Sequence, residues 1–244
     1  MNFSMLTRCL VSYFNKSIDY ILPHRCISCR ELTRDDEGLC SACFMKLNFI
    51  ANPYCAKCGT PFDFEIKSKV FCGKCLTNPP EYDLARALLK FDFQSKQLIH
   101  NFKYNDATAS AKLFAKLLAA RYVNDFSDID IIVPVPMHRI KRIFRHYNPA
   151  QILATELGKK LDIIVLQDLL VKVRWTKAQT TLSKKERETN LHGSIKCNAD
   201  YNLSGKKILL VDDMRTTGAT SDNCIKALKK SNAAQVKLVT IGIT

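Results

Sequence analysis

The chain has 244 residues, of which 47% are hydrophobic, and its formal charge is +14 at pH 7. This composition excludes an intrinsically disordered chain, and the length allows one large domain or one domain with a small module. Nearly all of the positive excess lies after residue 82, which favours a phosphate-bearing partner for that part of the chain. Lysines that only face solvent would give the same composition, so this alternative stays open.

Residues 1–25 are predicted to form one amphipathic helix that packs on the protein itself. Charged residues interrupt the segment, so neither a secretory signal nor a transmembrane segment is predicted, and we expect a cytoplasmic protein. Binding of the helix to a membrane surface is the alternative. The apolar residues that recur at helical spacing are Leu6, Leu10, Tyr13, Phe14, Ile18 and Ile21.

Residues 26–82 are predicted to form a zinc-binding module, because four CxxC pairs follow one another there. A CxxC turn directs two thiolates at one ion, and two such turns complete a tetrahedral site. We therefore expect about two structural zinc ions per chain, whereas the pairing of the four turns stays open. The predicted ligands are Cys26, Cys29, Cys40, Cys43, Cys55, Cys58, Cys72 and Cys75.

Other uses of these thiols compete with zinc ligation. Disulfides require an oxidising compartment, which the missing export signal argues against. A thioredoxin-like redox pair requires one CxxC at a strand–helix junction and not four in series. Iron–sulfur ligation by the same thiolates is the remaining alternative.

A stiff linker, TNPPEYD, at residues 77–83 precedes a change of periodicity, and residues 83–244 are predicted to form an α/β domain. Strands alternating with helices indicate a parallel sheet covered on both faces. In such sheets, ligands bind beyond the carboxyl ends of the strands. The predicted strands are 85–93, 128–136, 207–213 and 235–244, and the predicted helices are 95–104, 109–123, 148–161 and 219–231.

The stretch ILLVDDMRTTGAT, residues 208–220, carries the strongest functional signal. Asp212 and Asp213 repel each other at the end of a buried strand, and desolvating either is costly. The following turn begins a helix, whose free amides and nearby hydroxyls suit a phosphate. The sequence therefore predicts a sugar phosphate, with ribose hydroxyls on the aspartates; a helix capped after an acidic turn is the alternative. The predicted phosphate-binding residues are Thr216, Thr217, Gly218, Ala219 and Thr220.

This string resembles the phosphoribosyl pyrophosphate motif of the type I phosphoribosyltransferases. With the cysteine pairs upstream, nearly the whole chain resembles the ComF family, and residues 133–154 and 178–195 are similar to two further family segments. The resemblance implies an α/β fold: a type I phosphoribosyltransferase-like parallel sheet covered by helices, preceded by a small double-zinc-knuckle module. The chain departs from the family pattern at His146, where glycine is usual, and lacks the usual arginine after the last strand.

The resemblance also implies roles for two basic segments. The first follows the predicted strand 128–136 and corresponds to the pyrophosphate loop, where cations suit a diphosphate with Mg²⁺. The second corresponds to a flexible lid over the diphosphate. The implied substrate-binding residues are Arg139, Arg142 and Arg145 in the first segment and Gln179, Arg187 and Asn190 in the second.

The activity implied by the family is attack at C1 of the sugar with pyrophosphate leaving. Asp212 and Asp213 are then catalytic residues that stabilise developing positive charge, and Mg²⁺ accompanies phosphoribosyl pyrophosphate. No acceptor pocket is recognisable, so turnover stays open. Family members are associated with natural transformation, which implies single-stranded DNA and DNA-processing proteins as partners. The alternative function is a non-catalytic sensor or single-strand-binding factor that uses basic and aromatic residues such as Tyr104, Tyr147 and Trp175.

Overall fold

The computed structural model describes residues 25–33, 38–66, 68–104, 107–137, 147–172 and 194–244. The predicted N-terminal helix lies outside this range. By packing, the chain divides into two compact units, 1–47 and 48–244. This division follows packing, whereas the boundary predicted after residue 82 separates two sequence modules and stays a prediction. No helix in the described part of the chain is long and apolar enough to span a bilayer.

In the smaller unit, the described residues form a cysteine-bearing turn and one short helix. Arg25 and Leu32 form an antiparallel bridge around the first CxxC turn. Helix α1, Ser41–Met45, follows Cys40 and carries Cys43. The unit is thus built around its four cysteines and holds little regular structure within the described residues.

The larger unit contains a five-stranded parallel sheet, as the alternation of elements predicts. Its elements are α2 Gly73–Thr77, β1 Leu84–Lys90, α3 Phe93–Tyr104, α4 Ala107–Phe126, β2 Ile131–Pro134, α5 Pro149–Leu161, β3 Ile164–Val165, β4 Leu170–Lys172, β5 Ile195–Cys197, β6 Lys207–Arg215, α6 Ala219–Lys230 and β7 Gln235–Ile243. The strand order in the sheet is β1-β7-β6-β2-β3, and β4 and β5 form a separate antiparallel pair.

Strand β6 is central and is buried on both faces. Its residues Ile208 and Leu210 pack in one core with Ile225 and Leu228 of α6. The alternate residues Leu209 and Val211 are also fully buried, and they point to the opposite face because successive strand side chains alternate. Helix α5 packs against β2 and β6. Helices therefore pack against both faces, and the carboxyl ends of the parallel strands β2, β6 and β7 form one edge.

The helix α5 shows how local sequence signals set an element boundary. The Asn148 side chain accepts a hydrogen bond from the Ala150 amide at 3.2 Å, and Pro149 occupies the first helical position. Both features suit a helix start. The cap also donates, from Asn148 Nδ2 to the Val135 carbonyl oxygen at 3.0 Å. The start of α5 is thereby tied to the segment that leaves the end of β2.

The second group of cysteines belongs to the core of the sheet. Cys55, Cys58 and Cys75 are buried in the same cluster as Ala85 of β1 and Leu210 of β6. The Cys55–Cys58 turn approaches β1 closely, because the Ala85 amide donates to the Lys57 carbonyl oxygen at 2.7 Å. This turn is therefore packed as a part of the α/β unit.

Gly59 permits this approach for two reasons. Its φ is +70°, and a Cβ atom there would lie 2.8 Å from the Ala85 carbonyl oxygen. A side chain at this position would strain the left-handed backbone and also push the turn away from β1. The turn and β1 therefore fit together only with glycine at residue 59.

We expect Gly59→Ala to lower the free energy of unfolding by about 2–4 kcal/mol, the sum of the backbone and overpacking costs. The matched control is Gly205→Ala, because Gly205 has φ +73° and a Cβ added there would have no atom within 4 Å. That change should cost only about 1 kcal/mol. Urea unfolding at a fixed zinc concentration measures both, and equal losses would contradict the proposed close packing.

Candidate functional site

The eight cysteines form two separate four-cysteine clusters. Cluster 1 contains Cys26, Cys29, Cys40 and Cys43, and cluster 2 contains Cys55, Cys58, Cys72 and Cys75. Within each cluster the Sγ atoms all lie within 4.8 Å of one another. Neighbouring CxxC turns therefore pair in sequence order, which settles the pairing that the sequence leaves open.

Backbone amides prepare one thiol of each cluster to be a metal ligand. Cys26 Sγ accepts from the Cys40 amide at 3.4 Å, and Cys55 Sγ accepts from the Cys72 amide at 3.2 Å. Burial raises the pKa of each thiol, but the amide hydrogen bonds outweigh it and leave a pKa of about 6 at Cys26 and about 7 at Cys55. Thiolates are the metal-binding form.

The donor sets suit zinc. Four thiolates at this separation match a closed tetrahedral structural site. Burial raises the pKa of Cys75, and the thiols of Cys58 and Cys72 raise it further, so a cation is needed to hold all four groups as thiolates. Two four-cysteine sites support about two zinc ions per chain.

The second candidate site lies at the carboxyl end of β6. Asp212 and Asp213 belong to the strand itself, which continues to Arg215. Thr216 and Thr217 are exposed in the following turn, and Gly218 has φ +82°. Helix α6 then begins at Ala219. The structure therefore brings the aspartates, the threonines and a helix N-terminus together in a single continuous segment.

The turn is held by short-range hydrogen bonds. The Ser221 hydroxyl donates to the Gly218 carbonyl oxygen at 2.9 Å, and the Ala219 amide donates to Thr217 Oγ1 at 3.4 Å. The left-handed φ of Gly218 turns the chain directly into the first turn of α6. The amides at a helix start have no partner within the helix, and here they lie beside the two exposed threonine hydroxyls, which is an arrangement suited to a phosphate.

The two aspartates differ in their surroundings. Desolvation, and then repulsion by Asp213, raises the pKa of Asp212 well above its usual value. Among the residues that the structure describes, Asp212 Oδ1 accepts a local hydrogen bond, from the Asp213 amide at 2.9 Å. Asp213 Oδ2 instead lies 3.2 Å from Lys103 Nζ. Asp213 is thus paired with a cation, whereas the charged form of Asp212 is disfavoured.

The sequence does not identify Lys103 as a residue of this site. This residue lies near the end of α3, and its ammonium group lies within ion-pair distance of Asp213 while both side chains are mostly buried. A lone lysine in an amphipathic helix carries no signal that it will meet a distant strand end. The only available clue was the need of two adjacent acids for a nearby positive charge.

A cavity of about 420 Å³ borders the turn after β6. Its wall includes Thr217 and Gly218 of the turn and Lys226 of α6. Lys74, from the last CxxC turn of cluster 2, also lines it. Cluster 2 therefore contributes directly to the surroundings of the turn.

The remaining predicted binding residues lie outside the described residues. The strand β2 runs parallel to β6, with Pro134 opposite Val211, and the Val135 amide donates to the Val211 carbonyl oxygen at 2.9 Å. The chain after β2 therefore reaches the edge that carries Asp212 before residue 137, where this described range ends. The residues that stay predictions are Arg139, Arg142, Arg145, Gln179, Arg187 and Asn190.

Both candidate sites lie in regions that match known protein families. The family model described as Phosphoribosyl transferase domain matches residues 102–241, and the one described as Double zinc ribbon domain matches residues 17–76. Competence protein F of Haemophilus influenzae is 29% identical over 88% of this chain and 94% of that protein. DNA utilization protein YhgH of Escherichia coli is 26% identical over 89% and 96%, and competence protein ComFC of Bacillus subtilis is 24% identical over 86% of each chain.

We expect the purified protein to contain about two zinc ions per chain. Cys29→Ser in cluster 1 and Cys72→Ser in cluster 2 should each lower the content by one, because three thiolates bind zinc less tightly than four. Only Cys72→Ser should also lower the melting temperature of the α/β unit, since cluster 2 shares its core. Elemental analysis that finds no zinc, or iron with sulfide, would refute the assignment.

Proposed function

The chain belongs to the phosphoribosyl transferase domain family, and on this premise we propose that the carboxyl end of β6 binds phosphoribosyl pyrophosphate with Mg²⁺. The likeness to competence protein F and ComFC over most of the chain confirms the resemblance to the ComF family. One observation carries the ligand proposal: the Asp212–Asp213 pair leads within one segment to a hydroxyl-rich turn and a helix start.

Each part of the ligand has a suitable partner. The 5′-phosphate would accept hydrogen bonds from the amides and hydroxyls of residues 216–220, as anions do at helix N-termini. The ribose hydroxyls would donate to Asp212 and Asp213. Hydrogen bonds from these hydroxyls would offset the desolvation and the repulsion by Asp213 that raise the pKa of Asp212. The ligand would thus add donors to those that Lys103 and the Asp213 amide already provide.

The diphosphate part of the ligand requires positive charge. Arg139, Arg142 and Arg145 follow β2, whose end lies beside β6, and guanidinium groups bind phosphate oxygens well. Gln179, Arg187 and Asn190 are proposed to close over the diphosphate. Carboxylate and phosphate oxygens are ligands that Mg²⁺ prefers, and the ion, when bound, neutralises charge on the diphosphate.

The proposed reaction is displacement at C1 of the ribose. The acceptor's nucleophilic atom forms the new bond to C1 as the bond to pyrophosphate breaks. Asp212 and Asp213 would stabilise the positive charge that develops on the sugar ring. The reaction would take place in the cytoplasm, where the eight cysteine thiols of the two clusters would stay reduced.

A role in DNA uptake is the second part of the proposal. It rests on the relatives named competence protein F and DNA utilization protein YhgH. On this chain, the ring of the exposed Tyr104 contacts that of His100, with centroids 4.6 Å apart and planes tilted by 34°, next to Lys103. Aromatic and basic groups together suit single-stranded DNA. Pyrophosphate release with a nucleobase or amine would indicate an enzyme, whereas salt-dependent DNA affinity without release would indicate a binding factor.

We expect phosphoribosyl pyrophosphate with Mg²⁺ to raise the melting temperature of the wild-type protein, by an amount that grows with the logarithm of ligand concentration. Asp212→Asn and Asp213→Asn should each weaken binding by about 1–3 kcal/mol, the scale of a lost charged hydrogen bond. Without ligand, Asp212→Asn should be neutral or stabilising because it removes a desolvated charge. Asp213→Asn should be slightly destabilising because Lys103 loses its partner.

The matched control is Asp200→Asn, which makes the same chemical change at an exposed residue in the turn after β5. It should leave the ligand-induced shift unchanged. A thermal shift that persists in the Asp212→Asn, Asp213→Asn double variant would overturn the assignment of this site.

A further inference from the structure

We propose that cluster 2 and the phosphoribosyl pyrophosphate site are energetically coupled, with Arg215 as the positioning residue that connects them. The inference rests on the proposed function for the identity of the ligand. It assigns to one of the two zinc sites a role in ligand affinity, and it separates that site from cluster 1.

Arg215 lies between the aspartate pair and the turn 216–218 that leads into α6. It is the last residue of β6 and is 8% exposed. Its Nη2 donates to the Cys58 carbonyl oxygen at 2.5 Å, and its Nη1 donates to the Tyr82 hydroxyl at 3.0 Å. The guanidinium carbon also lies 5.8 Å from the centroid of the Tyr82 ring. One buried side chain therefore joins the end of β6 to a predicted zinc ligand.

The position of Arg215 depends on these acceptors. Among the described residues, no carboxylate oxygen lies within 4.0 Å of its guanidinium group. A buried guanidinium that loses a hydrogen-bond acceptor keeps the cost of its desolvation. The Cys58 carbonyl therefore helps to determine where the end of β6 lies.

A zinc ion in cluster 2 would fix where the Cys58 carbonyl lies. Cys58 belongs to one of the two CxxC turns whose sulfur atoms form cluster 2, and its Sγ lies 3.6 Å from Cys72 Sγ. Removal of the ion would leave the Cys55–Cys58 turn free to relax. A shift of the Cys55–Cys58 turn would move Arg215. Because Thr216 follows Arg215 directly, the proposed phosphate contacts would move with it. Ligand sites tolerate only about 0.5 Å of such displacement.

Coupling of this kind is reciprocal. If zinc in cluster 2 favours ligand binding, the ligand must tighten zinc in cluster 2 by the same factor. Cluster 1 belongs to the other compact unit, and none of the contacts described for Arg215 involves it. The chain thus provides its own comparison between a coupled and an uncoupled zinc site.

The first test measures, at equilibrium, the partition of zinc between the protein and a chromogenic zinc chelator in excess Mg²⁺, with and without saturating phosphoribosyl pyrophosphate. In wild-type protein, the ligand should tighten the binding of one of the two zinc ions by at least about fivefold, the lower end of typical coupling, and this tightening is the protection compared among the variants. The Cys29→Ser variant, which keeps cluster 2, should show the same protection. The Cys72→Ser variant, which keeps cluster 1, should show none.

The second test distinguishes a specific role of Arg215 from a general stabilisation of the α/β unit by the ligand. Tyr82→Phe removes only the hydroxyl that Arg215 contacts, and Arg215→Lys keeps the charge but cannot make both hydrogen bonds. Both should weaken ligand binding, Arg215→Lys by about tenfold or more, and both should reduce the zinc protection at saturating ligand. Lys230→Met, which removes an exposed charge at the far end of α6, should change neither.

The outcomes distinguish the two proposals. Wild-type protein that does not bind phosphoribosyl pyrophosphate overturns the proposed function, and this inference with it. Wild-type protein that binds the ligand but shows the same zinc affinity with and without it overturns the coupling alone. Protection that stays unchanged in folded Tyr82→Phe and Arg215→Lys variants overturns the role of Arg215.

Discussion

Three consecutive carbonyl groups of the Cys55–Cys58 turn accept hydrogen bonds from the sheet. The Ala56 carbonyl accepts from Arg86 at 3.2 Å, the Lys57 carbonyl accepts from the Ala85 amide at 2.7 Å, and the Cys58 carbonyl accepts from Arg215 at 2.5 Å. Turn carbonyls usually face water. Here they are satisfied by two different strands, so the metal-binding turn and the α/β fold determine each other's geometry.

The candidate ligand site uses the end of β6 that this turn holds. Among the described residues, Asp212 is desolvated beside a second carboxylate, whereas Asp213 forms an ion pair with Lys103. A ligand with ribose hydroxyls and a phosphate would satisfy both the carboxylates and the amides at the start of α6. Cluster 2, one half of the double zinc ribbon, thus packs in the core of the α/β unit.

Several features could be predicted from local sequence alone. The CxxC spacing predicts thiolate metal sites, since two turns suffice to form one. The contiguous segment 208–220 predicts the strand, turn and helix start that the structure shows, while its sugar phosphate ligand stays a prediction. The alternation of periodicity predicts the parallel sheet. Each of these signals is contained in a short stretch, where spacing and residue type determine the local geometry without knowledge of the tertiary packing.

Other features depend on contacts between distant parts of the chain. Lys103 meets Asp213, and Arg215 meets Cys58, only because the strand order places β1 beside β7 and the cysteine turn against β1. The pairing of the CxxC turns is also tertiary, since the gaps between them are similar in length. Arg139, Arg142, Arg145, Gln179, Arg187 and Asn190 stay predictions because they lie outside the described residues.

Amide hydrogen exchange of the intact protein, before and after zinc removal, tests the central claim that cluster 2 holds the end of β6. If the three carbonyl contacts position the strands, zinc removal should lower protection in residues 84–88 of β1 and 212–218 at the end of β6, while α5 keeps its protection. Loss of protection confined to residues 55–75, with the end of β6 unchanged, would contradict the account.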